Sequence, residues 1–364
     1  MRFIPTHSPI AVHFGSLDTR VLQLRRDSAG MRVVAAIEVP AQGDSRQTRA
    51  AEELLGTGRM APFRGRDCSI GLAAADAAVG LVPVDSREPA KVVQALQSAA
   101  LRAVKDPEGI QYRYLPLSED EDETTAMREE YLLLTLGKSV ERRCLAAAET
   151  LKLRPVSMEP GPCAVARCLH ATRPERLDPW GFLHLGFGQT AFGIVHRGEL
   201  RFLKPMQLSG ARLLELLHDA LPEDGEVAAA DLAQTLMGGG ADETGEEAAA
   251  TDAASVAALR QRSLGQTERI LRALRVEAET LAQEVRACLR HFTNRFHDQR
   301  VEEIRLTGFG AGLPEIGNAL TASLRLETEV ARPFTRLGIE APPHVLAEEH
   351  QWCAPLGLAL RGLR

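Results

Sequence analysis

The stretch IAVHFGSLDT, residues 10–19, decides the fold because its pattern occurs a second time in the chain. It reads as a strand, a tight turn and the start of another strand. Residues 183–190, LHLGFGQT, repeat the order of VHFGSLDT, residues 12–19: apolar, His, apolar, Gly, three positions, Thr. Because strands flank both copies, the repeat predicts two similar domains that face each other.

A third glycine turn, GFGAG at residues 308–312, stands between a predicted strand and a predicted helix. Glycine turns let backbone amides approach an anion, and two facing hairpins could hold a polyphosphate from both sides. The third turn would add the amides at a helix N-terminus. Taken alone, this turn is more typical of a structural turn than of a ligand site. The order and spacing of all three turns favour a phosphate ligand.

The composition excludes other classes of function. The chain has 364 residues, 45% of them apolar, and a net charge of −6, which gives no basic field for nucleic acid. It shows no signal peptide and no apolar run of about 18 residues, so we expect a cytoplasmic protein without a membrane span. The six cysteines and ten histidines form no pair at zinc spacing, and we expect core thiols.

The remaining segments alternate between strands and helices. Residues 10–39 predict a three-stranded meander, and residues 88–106 and 281–296 carry the apolar spacing of amphipathic helices. Ser139 is the expected N-cap of the next helix. The acidic run at 118–124 is predicted to be a solvated loop, and residues from about 231 to 255 a mobile one.

These residues resemble the PilM family of type IV pilus assembly proteins, relatives of FtsA in the actin-like ATPase superfamily. IAVHFGSLDTRVLQL and FLHLGFGQTAFGIVHRGELRF resemble the two phosphate motifs of the family, and IRLTGFGAGLPEIGNAL resembles its adenosine motif. TLAQEVRACLRHF resembles the helix before that motif, although Ala287 and Cys288 replace its usual Arg-Ser. LAAAETLKLRPVSMEPGPCAVARCL and APLGLALRGL extend the resemblance over nearly the whole chain.

The resemblance implies an α/β actin-like ATPase fold with two duplicated ribonuclease-H-like domains and a small inserted α+β subdomain. Residues 1–83 and 140–178 would form the first domain, 84–139 the inserted subdomain, 179–210 and 299–364 the second domain, and 211–298 a further subdomain.

The resemblance also implies a role and partners. The family acts as a cytoplasmic scaffold that docks the N-terminal cytoplasmic peptide of an inner-membrane protein, PilN, in a groove near the inserted subdomain. This chain would then lie at the inner membrane through its partner, with self-association as a further option. The implied cofactor is ATP or ADP between the two domains. The residues that would bind it are Gly15, Ser16, Leu17, Thr19, Gly186, Gly188, Gln189, Thr190, Glu284, Gly308, Gly310 and Ala311.

The chain departs from the family at His13 and His184, where both phosphate motifs carry an aspartate that helps to hold magnesium. Imidazole is a poor ligand for this hard cation, so magnesium binding and hydrolysis are disfavoured and no catalytic residue is assigned. Three hypotheses remain for the histidines: packing across a cleft without nucleotide, action as cations or N–H donors to phosphate without magnesium, or binding of a transition metal. Asp18 is expected to cap the turn backbone.

Two rival functions remain. An active ATPase or phosphotransferase of the same fold would need a carboxylate base in the cleft, and Glu159 is the nearest candidate in sequence. A secretion-system protein of the GspL type shares the fold but continues into a membrane helix, whereas this chain ends at Arg364. The sequence therefore favours a non-catalytic adaptor of a type IV pilus or a related type II secretion platform.

Overall fold

The computed structural model describes residues 7–40, 43, 45–117, 129–213, 215, 253–296 and 299–363. The acidic run at 118–124 and residues 231–252 of the predicted mobile loop lie outside this part of the chain. Residues 253–255 of that predicted loop instead begin the long helix α5.

The first lobe is built on a five-stranded sheet with the order β3-β2-β1-β4-β8. The meander pairs antiparallel, and β4 and β8 join it in parallel. The strands are β1 (Ile10–Phe14), β2 (Asp18–Asp27), β3 (Gly30–Pro40), β4 (Asp67–Leu72) and β8 (Arg154–Pro160). The meander predicted at residues 10–39 is therefore correct.

Helices cover both faces of this sheet, because side chains alternate along each strand. Ile10, Val12 and Phe14 of β1 join a core with helices on one face, whereas Ala11 joins the core on the other. The first face carries α1 (Arg46–Gly56) and α3 (Lys138–Thr150), and the second carries α4 (Gly161–Ala171) and the C-terminal helix α9 (Cys353–Arg361).

The second lobe repeats the sheet of the first. Its order is β11-β10-β9-β12-β13, antiparallel over the first three strands and parallel over the last two. The strands are β9 (Trp180–Leu185), β10 (Thr190–His196), β11 (Glu199–Met206), β12 (Glu303–Thr307) and β13 (Glu327–Val330). Its helices are α5 (Ala253–Arg295), α6 (Pro314–Leu324), α7 (Pro333–Leu337) and α8 (Pro343–Ala347).

A third sheet of three antiparallel strands is inserted into the first lobe, in the order β5-β7-β6. Its strands are β5 (Ala77–Val84), β6 (Ile110–Pro116) and β7 (Glu129–Gly137), and α2 (Pro89–Ala103) packs on them. Val92, Leu96 and Ala100 of the helix meet Tyr131 and Leu133 of β7. The sheet begins at Ala77, earlier than the boundary predicted at residue 84, because all of β5 pairs with β7.

Two further details differ from the sequence prediction. The N-cap of α3 is Gly137, and Ser139 lies inside the first turn, where its N–H and hydroxyl both donate to Asp106, at 2.9 and 2.6 Å. Asp106, distant in sequence, therefore satisfies the amide that a local cap would have taken. The C-terminal helix, predicted within the second domain, packs against α4 and the first sheet. Within the described ranges, no helix is both long and apolar enough to cross a membrane.

Candidate functional site

The two hairpins have the same turn geometry. The N–H of Gly15 donates to the carbonyl of His13 at 3.2 Å, and the N–H of Gly186 donates to the carbonyl of His184 at 3.0 Å. A Cβ atom at Gly15 would lie 2.7 Å from the carbonyl oxygen of Asp18, and one at Gly186 would lie 2.5 Å from that of Gln189. Both glycines are therefore needed to close the turns, whether or not a ligand binds there.

The tips of the two hairpins contact each other across the cleft. A Cβ atom at Gly188 would overlap the hydroxyl of Ser16 and lie 2.8 Å from its Cβ. The cavity between the hairpins has a volume of about 60 Å³. Pockets that hold small molecules usually measure roughly 300–1,000 Å³. The cleft in this conformation is too narrow for a nucleotide.

The structure brings together most of the residues that the sequence assigned to a nucleotide site. Nine line the cavity: His13, Gly15, Ser16, Leu17, His184, Gly186, Gly188, Gln189 and Gly308. Thr19, Thr190, Gly310 and Ala311 are buried and do not line it. Glu284 also lies elsewhere, since its carboxylate accepts the N–H of Gln207, at 3.2 Å.

His13 is buried and packs on two glycines. Cβ atoms built on Gly71 and Gly161 would lie 2.9 and 2.8 Å from its imidazole ring, so the missing side chains make room for it. Its Nε2 atom has no hydrogen-bond partner in the structure. Desolvation, with contributions from His184, Arg20 and Arg46, lowers the pKa of His13 to about 3. The ring is therefore neutral at physiological pH.

His184 is also neutral. Its Nδ1 lies 3.1 Å from the hydroxyl of Thr307, and desolvation together with Arg20 lowers its pKa to about 4. A neutral imidazole offers no positive charge to a phosphate, which disfavours the cationic form of the second hypothesis, although a neutral ring still carries one N–H donor. No group of three or more His, Cys, Asp or Glu side chains that could hold a metal occurs among the described residues. Each ring packs on residues of its own lobe rather than across the cleft, and a structural role fits this geometry best.

Two arginines that the sequence analysis did not single out organise the cleft. The Nε of Arg46 donates to the carbonyl of Gly15 at 2.9 Å, and its guanidinium pairs with Asp76. Arg20 pairs with Asp18 at 2.9 Å, so the carboxylate of Asp18 forms an ion pair rather than capping the turn. Arg20 could have been noticed as the one charged residue within the apolar run TRVLQL.

Glu159, the candidate base, does not reach the cleft. Its carboxylate accepts from both Nη atoms of Arg167, at 2.5 and 2.6 Å, and from Arg361 at 3.2 Å. Two guanidinium partners hold this carboxylate, which leaves it unsuited to accept a proton from a substrate.

A second and larger cavity, which Glu159 lines, lies where the third sheet meets both lobes. We call this cavity the groove; its volume is about 530 Å³. Its apolar walls include Leu134, Leu136, Met158, Ala166 and Leu200. Strand β6 lines it with Gln111, Arg113 and Leu115.

Two lobes of equal topology that meet at glycine hairpins, with a sheet inserted in the first, define an actin-like ATPase fold. Comparison with solved structures confirms this class. A chain of the PilM–PilN type IV pilus biogenesis complex matches with a TM-score of 0.72 and 18% identity, over 99% of this chain and 100% of that one. The ethanolamine utilization protein EutJ from Carboxydothermus hydrogenoformans matches with a TM-score of 0.51 and 13% identity, over 98% and 90% of the two chains.

The resemblance to the PilM family is also confirmed. Residues 252–363 match the family model described as type IV pilus assembly protein PilM. A search of curated protein sequences gave no significant match.

Proposed function

We propose that this protein is a PilM-like adaptor of a type IV pilus or related type II secretion platform. It docks the N-terminal cytoplasmic peptide of a PilN-like membrane protein in the groove, and so lies at the cytoplasmic face of the inner membrane. The observation that carries the proposal is the groove itself, a preformed apolar cavity beside the inserted sheet. The fold of this protein also matches a chain of the PilM–PilN complex over its whole length.

The edge strand β6 supports an extended ligand. It pairs with β7 on one side only, and its residues from Tyr114 to Pro116 are exposed. An edge strand beside an apolar groove can accept a peptide by main-chain hydrogen bonds, while the pockets select alternate side chains. We expect the partner segment to be extended and to place apolar side chains against Leu134, Leu136 and Met158.

Nucleotide has no role in this proposal. The residues that would receive the phosphates and magnesium do not fit the group, because neutral His13 and His184 occupy the acid positions and Ser16 touches Gly188. Metal-assisted phosphoryl transfer needs oxygen ligands that these residues lack. The alternative, an active ATPase or phosphotransferase, also lacks an available base, since Glu159 is paired with Arg167 and Arg361.

Binding of a labelled peptide tests the docking site. The probe is a synthetic peptide with the cytoplasmic N-terminal sequence of a PilN-like protein from the same organism, measured by fluorescence anisotropy. Leu115→Glu places a charge at the groove wall on a side chain that is 49% exposed, so the fold should tolerate it. We expect binding to weaken by about tenfold or more, since apolar contacts of this kind carry about 1–2 kcal/mol.

Leu55→Glu is the matched control. Leu55 is 48% exposed, lies on α1, and does not line the groove. Its substitution should leave peptide affinity unchanged. Equal binding by wild type and Leu115→Glu, or no binding by the wild type, would contradict the proposed docking site.

A further inference from the structure

Arg20 places a buried cation beside the cleft, with only 8% of its side chain exposed. Within the first sheet it pairs with Asp18 at 2.9 Å and with Glu38 at 3.1 Å. Its other N–H groups donate to a residue outside this sheet. Nη1 donates to the carbonyl of Gln351 at 2.8 Å and Nη2 to the side-chain oxygen of the same residue at 2.5 Å.

Gln351 is anchored to the second lobe through the short turn Glu349–Gln351. The N–H of Thr335, in α7, donates to the carboxylate of Glu349 at 2.9 Å. The N–H of Gly308, in the third glycine turn, donates to the carbonyl of His350 at 2.9 Å. A chain of direct bonds therefore runs from the first sheet through Arg20 to the turn, and from the turn to two elements of the second lobe.

Trp352 completes the contact. The guanidinium carbon of Arg20 lies 5.5 Å from the centroid of its ring, and Trp352 is fully buried. The guanidinium of Arg20 thus contacts two carboxylates, the carbonyl and side-chain amide of Gln351, and the ring of Trp352. Charged hydrogen bonds and a desolvated cation–π contact are among the stronger contacts in proteins.

We propose that Arg20 is a clamp between the lobes, which holds the cleft closed through Gln351 without a ligand between the hairpins. This inference does not depend on the partner proposed above. In an actin-like fold a ligand in the cleft would join the two lobes. In this protein the cavity between the hairpins is too small for a nucleotide, and the cation that lines it, Arg20, is already paired with Asp18 and Glu38. The clamp keeps the lobes in one arrangement, which suits a scaffold rather than a cycling enzyme.

Hydrogen exchange tests the clamp, because the amides of Gly308 and Thr335 report on the bonds that hold the turn. In Arg20→Ala we expect exchange at these two amides to rise by about tenfold or more, because the substitution removes the charged hydrogen bonds that hold the turn. Amides in the middle of β1 should change less. Arg20→Lys keeps the charge but loses the two-pronged contact with Gln351, and we expect an intermediate increase.

Arg46→Ala is the matched control. Arg46 is similarly buried, with 12% of its side chain exposed, and also forms an ion pair, but its contacts with Gly15, Gly43 and Asp76 all lie in the first lobe. Its substitution should leave exchange at Gly308 and Thr335 unchanged. Gln351→Ala removes one acceptor of the clamp and serves as the readout if Arg20→Ala does not fold. Unchanged exchange in folded Arg20→Ala or Gln351→Ala, or an equal rise in Arg46→Ala, would overturn the proposal.

Discussion

At the residue scale, the paired histidines determine what the cleft can do. His13 and His184 occupy equivalent positions of the two hairpins. In each copy one residue separates the histidine from the glycine of the turn. The repeat made both positions visible in the sequence. Their protonation state was not visible, because it depends on burial and on Arg20 and Arg46, which approach from other strands and helices.

Acid should destabilise the protein through these histidines. The folded-state pKa values of His13, His184 and His350 lie at about 3, 4 and 4, below the ordinary value of 6.5, so the unfolded chain binds protons more readily. Stability is therefore complete above about pH 6.5 and falls as the pH drops towards 4. At about pH 4.5, protonation of His13 in the unfolded chain alone should lower the free energy of unfolding by roughly 2–3 kcal/mol.

Asp18 acts in the opposite direction. Desolvation raises the pKa of Asp18 to about 6, so the folded state binds this proton at a higher pH than the unfolded chain does. Between about pH 6 and 4 this proton therefore offsets part of the stability that the histidines lose. Urea unfolding from about pH 7.5 to 4.5 measures the sum. On acidification we expect His13→Gln to lose clearly less stability than the wild type. The control His291→Gln, at an exposed position, should lose as much stability as the wild type. Parallel curves for His13→Gln and wild type would contradict the assignment.

At the element scale, the closest packing joins α4 and α9, the C-terminal helix that returns to the first lobe. A Cβ atom at Gly357 would overlap the carbonyl oxygen of Ala164 in α4. Only glycine lets the two helix backbones approach this closely. Arg167 of α4 strengthens the crossing by donating to the carbonyl of Gly357 at 3.2 Å.

Gly357→Ala should therefore push the helices apart and destabilise the protein by about 3 kcal/mol, the upper range for overpacking in a core. Gly317→Ala in α6 provides a matched control, since its added Cβ would lie at an ordinary 3.5 Å from Leu306. There we expect no loss, or a gain of up to about 1 kcal/mol from helix propensity. Urea unfolding compares the two variants. Equal effects would show that the α4–α9 crossing is looser than described.

The sequence predicts the individual elements better than their contacts. The meander, the second hairpin and the amphipathic helices follow from local periodicity and glycine turns. The clamp between Arg20 and Gln351 joins residues 331 positions apart, and neither residue lies in a recognisable pattern. The start of the third sheet at Ala77 was missed for a similar reason, because β5 is defined by pairing with β7 rather than by its own sequence.

At the scale of the whole molecule, the two cavities that bear on the proposed function differ greatly in size. The cleft between the hairpins, at about 60 Å³, is closed by Ser16 and Gly188 and held by Arg20. The groove beside the third sheet, at about 530 Å³, is open and apolar. This difference in size is what the proposed function requires, with the ligand in the groove and not in the cleft.

The central claim is that partner docking does not require nucleotide. Calorimetric titration of the PilN-like peptide into the nucleotide-free protein, with and without added MgATP, tests it most directly. We predict the same peptide affinity in both conditions and no heat from MgATP alone, since a ligand without a site has no coupling free energy with the groove. Peptide binding that appears only with MgATP, or tight magnesium-dependent ATP binding by the wild type, would contradict the account.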